Sequence, residues 1–132
     1  GGDLQAEPDG TCYMLFNGIL TWQQAQAQCL GVGANLVSID SAEEQVIVGE
    51  LAGSFPIGQP DLWTGGSDAA LEGSFVWIDT SALSYTKWRA GEPNNNGGDG
   101  IAENCMVIEG DNPAREWDDR RCADAYPSIC ER

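Results

Sequence analysis

The chain has 132 residues, enough for one domain with one core, and its 21 acidic against 6 basic residues leave a formal net charge of −15. That charge argues against a nucleic-acid backbone as partner, because no basic patch is present to displace counterions, and against anionic membranes. No apolar run is long enough to cross a bilayer, so membrane insertion is not expected. The acids are dispersed rather than gathered in a tail and read mostly as a solvated, repulsive surface.

Residues 1–10 read as a linker or a chain end, and their start is not signal-like, so the chain is expected to be a mature fragment or a domain cut from something larger. Residues 11–20 alternate loosely through Cys12, Tyr13, Leu15, Phe16 and Ile19, with Asn17-Gly18 as a turn signal, and predict a short hairpin or strand pair. Thr21 is placed as an N-cap. Trp22, Ala25, Cys29 and Leu30 then recur at helical spacing through 22–30, and Gly31 and Gly33 end the helix. Residues 34–39 predict a short strand. Ser41 and Glu44 form a capping-box signature for a helix over 42–52, with Val46, Ile47 and Leu51 expected on its apolar side and Gly53 as the stop.

Beyond Gly53 the regular signal fades. Apolar or aromatic pieces at 62–63, 75–77, 85–88, 105–108 and 129–130 alternate with stretches rich in Gly, Asn and Asp. The fold class is therefore α+β: two early helices, then a loop-heavy half on small antiparallel sheets. Trp22, Trp63, Trp77 and Trp88 are expected in the core, because long loops need large side chains beneath them. A sugar-stacking platform is the alternative role for these rings.

Five cysteines (Cys12, Cys29, Cys105, Cys122 and Cys130) in a domain of this size point to an oxidising compartment and a disulfide framework. Zinc is disfavoured, since there is no histidine and no Cys-x-x-Cys pair. Spacing alone leaves the pairing open, and the odd count leaves one cysteine over.

The residues that carry chemistry are Glu92-Pro93-Asn94, Glu103 and Trp117-Asp118-Asp119. A hard divalent cation takes six to eight oxygen ligands from carboxylates and amide carbonyls, and these segments supply such a set. Pro93 permits a cis bond after Glu92, which would turn the Glu92 and Asn94 side chains to one side. Without histidine, and with no serine or cysteine beside a base, an enzyme is not expected. Taken alone, Glu92-Pro93-Asn94 would pass for a polar turn.

The order of residues along the chain resembles the C-type lectin-like domain. The resemblance rests on Trp22-x-x-Ala25-x-x-x-Cys29, Gly33-Ala34-x-Leu36-Val37-Ser38-Ile39, Glu44, Trp63-Thr64-Gly65-Gly66 and Glu72-Gly73-x-Phe75-x-Trp77. It continues through Trp88, Glu92-Pro93-Asn94, Glu103-Asn104-Cys105, Trp117-Asp118-Asp119, Cys122 and Cys130-Glu131. It covers roughly residues 11–132, and many weak pieces in one order make it specific.

The resemblance implies a C-type lectin-like fold over 11–132, stapled by Cys29–Cys130 and Cys105–Cys122, with a long calcium-binding loop region. Cys12 matches the second cysteine of an extra N-terminal pair, so it is expected to be unpaired or bonded between chains. The calcium ligands carried over are Glu92, Asn94, Glu103, Asp118 and Asp119. A second, weaker calcium would use Asp68, Glu72, Asn95, Glu103 and Asn104. Glu92-Pro93-Asn94 is the order that implies mannose, glucose or fucose type glycans as partners, with two hydroxyls completing the calcium shell against Glu92, Asn94, Glu103 and Asp118. A Gln-Pro-Asp order would imply galactose; it stands at residues 59–61, away from the site, and reads as a loop coincidence. The setting implied is secreted, or an extracellular part of a larger protein.

Two departures bear on this. Asp118 stands where the family has Asn, and an ionised carboxylate cannot donate to a hydroxyl. Residues 95–102 are longer and richer in glycine than the common mannose-type pattern. A calcium-containing protein- or ice-binding module without sugar binding is therefore the alternative function. No heptad stalk points to an oligomeric state.

Overall fold

The structure is a computed structural model that describes residues 11–55, 58–93 and 102–132, and the backbone of residues 2–6. The strands are β1 (Gly2–Ala6), β2 (Cys12–Leu20), β3 (Asn35–Leu36), β4 (Asp61–Ser67), β5 (Cys105–Glu109), β6 (Trp117–Arg120) and β7 (Tyr126–Glu131). The helices are α1 (Trp22–Leu30) and α2 (Ala42–Gly53). The α+β expectation holds, but the strands form one sheet, in the order β1-β2-β7-β4-β5-β6 with β3 also on β7, rather than several small ones. The sheet is mixed, since β4 meets β7 in parallel at Trp63 and Ser128 while the other pairs run antiparallel.

Period-two alternation divides the core between the sheet's two faces. Tyr13, Leu15, Leu62, Met106, Ile108 and Ile129 face α2 and the loop aromatics. Met14, Trp63, Cys105, Val107 and Cys130 face α1. The short helix α1 is capped as its sequence predicts: Thr21 Oγ1 accepts from Gln24 N–H, and Gln24 Oε1 accepts from Thr21 N–H. Its buried residues are Ala25 and Cys29. The Trp22 indole donates to the Thr64 carbonyl and the Trp63 indole to the Leu20 carbonyl, each at 2.8 Å, which ties the helix entry to β4. Trp63 and Trp77 are fully buried, and Trp22 and Trp88 pack half-buried against the core.

Gly2–Ala6, within the stretch read as a linker or a chain end, pairs residue by residue with β2. Four expectations need correction. Residues 12–20 make one strand rather than a hairpin, because β7 pairs with both ends and absorbs Asn17-Gly18 as an irregularity between Phe16 and Leu20. The strand expected over 34–39 shortens to Asn35–Leu36. In α2 the buried face is Gln45, Val48, Gly49, Leu51 and Ala52, and Val46 is 59% exposed. Arg115 lies across α2 with its Nε on the Gly49 carbonyl at 3.0 Å, and a Cβ at Gly53 would collide with its guanidinium. Ser41 does cap α2, but the Glu44 carboxylate accepts from Asp40 N–H rather than from Ser41.

Two disulfides are formed, Cys29–Cys130 and Cys105–Cys122, and Cys12 carries none. They span 101 and 17 residues. In the chain-entropy picture the longer bridge contributes about 4–5 kcal/mol and the shorter about 3 kcal/mol. Replacing Cys29 and Cys130 by alanine should therefore lower the unfolding free energy in urea by about 1–2 kcal/mol more than replacing Cys105 and Cys122. Equal losses would show that loop length does not set the contribution here.

Candidate metal centre

The site is built on β6, the last strand of the sheet. The segment before it in space, residues 87–89, lies alongside without forming a named strand. Trp117 N–H donates to the Lys87 carbonyl at 2.8 Å, and Arg89 N–H donates to the Trp117 carbonyl at 2.9 Å. Below them the Trp117 ring is fully buried among Trp77, Tyr85 and Trp88, all edge-on at 5.6 to 6.0 Å, and its Nε1 donates to Gln45 Oε1 at 2.9 Å. From Arg89 the chain turns back at once. Gly91 takes φ +86°, a conformation open to glycine, and Glu92 N–H closes the turn on the Arg89 carbonyl at 2.9 Å. The Glu92–Pro93 bond is cis.

This geometry brings Glu92 beside Asp118 and Asp119. One carboxylate oxygen from each lies within 4.8 Å of the others, the metal-spaced group found among the described residues. Asp118 and Asp119 are 3% and 0% exposed. The Cys105–Cys122 bridge flanks β6, whose Asp119 stands in register with Met106.

The other sequence-predicted residues fall around this group. Glu103 is buried just before β5 and lies outside the 4.8 Å set, yet burial and the charges of Asp119 and Asp118 push its carboxyl above the usual range. Asp68 is buried, accepts from Gly73 N–H at 2.8 Å, and donates its own N–H to the Asn104 carbonyl at 3.0 Å. Glu72 is exposed; its hydrogen bond with Asp68 raises its carboxyl pKa, and the charge of Asp119 reaches it more weakly. Asn94 and Asn95 lie outside the described residues.

Sequence reasoning missed the arginines. Arg89 Nη2 donates to Glu92 Oε2 at 3.2 Å and to Asp118 Oδ2 at 3.0 Å, while its Nη1 meets Glu109 at 3.3 Å. Arg120 Nη1 also donates to Asp118 Oδ2, and its Nη2 bonds Asp61 at 2.9 Å with Glu109 at 3.6 Å. Asp61 ends the Gln59-Pro60-Asp61 run that had read as a coincidence. Asp118 is therefore fully engaged, since its Oδ1 accepts from Asp119 N–H at 2.8 Å. The one available signal was that two of only six basic residues flank the acidic motifs, at 89 and 120.

Six carboxylates (Asp61, Glu92, Glu103, Glu109, Asp118 and Asp119) thus surround two guanidiniums. Burial, only partly offset by Arg89 and reinforced by Asp118 and Asp119, pushes the Glu92 carboxyl up to about 7. Such a basin of hard oxygen donors with excess negative charge fits a calcium ion by its chemistry.

The Lectin C-type domain family matches residues 19–132. The chain belongs to the C-type lectin domain family and has its fold. It is 36% identical over 117 residues to ladderlectin of Oncorhynchus mykiss, an alignment spanning 89% of this chain and 60% of ladderlectin. The carbohydrate-recognition domain of the mouse scavenger receptor C-type lectin superposes with a TM-score of 0.86 at 29% identity, covering 98% of this chain and 94% of that one. A Ca2+-dependent type II antifreeze protein in its Ca2+-free form superposes at 0.83 with 30% identity, covering 98% and 97%.

A carboxyl whose pKa is raised on folding favours the folded state most at low pH, and the contribution is lost as pH rises through the folded pKa. Glu92 goes from an ordinary 4.5 to about 7. In chelator, the melting temperature should fall as pH rises from about 4.5 to about 7, and Glu92→Gln should flatten that slope. An unchanged slope in the variant would show that Glu92 does not titrate this way.

Proposed function

We propose that the chain is a calcium-dependent carbohydrate-binding module, not an enzyme, in which Glu92, Asn94, Glu103, Asp118 and Asp119 hold the calcium. The observation that carries this reading is the convergence of Glu92, Asp118 and Asp119 within 4.8 Å at the edge of the sheet. The acidic surplus there exceeds what two arginines neutralise, so a divalent cation relieves repulsion that protein groups leave standing. Calcium, when bound, would offer coordination positions to neutral sugar hydroxyls, while Glu92, Asn94, Glu103 and Asp118 bond those hydroxyls. The Glu92-Pro93-Asn94 order supports mannose, glucose or fucose type glycans. Asp68, Glu72, Asn95, Glu103 and Asn104 make a second and weaker cation site. The disulfides and the family support a secreted or extracellular setting. Single-sugar affinity in such an open site is weak, so copies on a larger protein or assembly would raise it.

A second reading is favoured by one observation: both Asp118 oxygens are already bonded, to Asp119 N–H and to the two arginines. A site so committed also suits a protein- or ice-binding module whose calcium is structural, and the likeness to a Ca2+-dependent type II antifreeze protein is consistent with that.

A glycan array probed in calcium and again in chelator separates the two. Binding to mannose- or fucose-bearing glycans that chelator abolishes is the expected result. Calcium-dependent thermal stabilisation without any glycan signal would sink the sugar and leave the second reading.

A further inference from the structure

The two arginines at the site differ in how they are held. Arg120 is anchored at both ends of its guanidinium, on Asp118 and on Asp61, and its side chain is only 21% exposed. Arg89 is 46% exposed, and one nitrogen, Nη2, carries both its contacts to the metal-spaced group. That nitrogen bridges Glu92 and Asp118, two of the three carboxylates a divalent cation would need. On its other side Arg89 borders an open cleft of about 520 Å³ lined by Asp61, Glu109, Asp111, Asn112 and Arg120. Its Nη1 already reaches the Glu109 wall of that cleft at 3.3 Å.

We propose that Arg89 is the resident counter-cation of the site, a positioning residue that holds Glu92 and Asp118 together in the metal-free protein and yields them to the metal. The inference rests on the calcium reading of the same residues. A guanidinium and a calcium ion cannot both sit on Glu92 Oε2, because like charges that close repel strongly in a partly buried site. Arg89 has somewhere to go. Keeping its Glu109 contact, it turns into the cleft toward Asp111, which exchanges its two contacts at the metal-spaced group for one new carboxylate partner. Arg120 has no such freedom and stays as the fixed neutraliser of Asp118. Calcium affinity is then lowered by the competition, while the metal-free site is kept assembled instead of being forced apart by its own charge.

Removing the guanidinium should move two measurements in opposite directions. Arg89→Gln should lower the melting temperature in chelator by about 5 °C. It should also tighten calcium binding by calorimetry about tenfold, the size expected for releasing a few partly exposed ion pairs. Arg89→Lys, which keeps the charge but not the fork, should fall between the wild type and Arg89→Gln on both. A role in packing alone predicts loss of stability together with equal or weaker calcium binding, and that result would overturn the proposal. The wild-type chain binding no calcium would instead end the metal reading. In that case calcium binding by Arg89→Gln would still support Arg89 as the competitor, and its failure to bind would end both.

Discussion

The alignment of residues 87–89 against Trp117 is the contact on which the site depends. Two backbone hydrogen bonds and one fully buried indole hold a segment with no regular structure of its own to the edge strand of the sheet. The ring is surrounded edge-on by Trp77, Tyr85 and Trp88, so the aromatic residues of the loops insert into one packed unit and replace the regular hydrogen bonding those loops lack. Gln45 extends the same unit into α2, taking the Trp117 N–H and donating to the Arg115 carbonyl. With that alignment in place, Glu92 has no choice but to sit beside Asp118.

The electrostatics follow from this crowding. Packing that excludes water from Asp118, Asp119, Glu103 and Glu109 leaves their charges poorly solvated and close together, a state that hydrophobic burial elsewhere in the domain must offset. Two guanidiniums neutralise part of the charge and leave a surplus. That surplus is what the proposed cation reading rests on, and the open edge of the centre is Arg89, whose side chain is 46% exposed.

Local chemistry was legible where it was strong. The α1 boundaries and its Thr21 cap follow from side-chain hydrogen bonds three residues apart, which the sequence displays directly. Local signal failed where distant chain competed. Asn17-Gly18 is good turn chemistry, but β7 offers both halves of β2 a partner and the turn is overridden. Val46 looks apolar enough for a core face, yet the core takes Val48, Leu51 and Ala52 instead and leaves Val46 59% exposed. The two disulfides were legible only through the family pattern, since spacing permits other pairings of five cysteines.

By itself the sequence determined the class of fold, the first helix, the cap of the second, and the motif order that makes Glu92, Glu103, Asp118 and Asp119 candidates for cation chemistry. Those rest on periodicity, caps and motif order, which are properties of neighbours along the chain. Only the tertiary structure decided that Arg89 and Arg120 share Asp118, that Asp61 and Glu109 join them, and that Glu103 stands apart from the closest carboxylates. The physical reason is that charge pairing depends on distances across strands and loops separated by up to 59 residues, as between Asp61 and Arg120, and no local pattern encodes such distances.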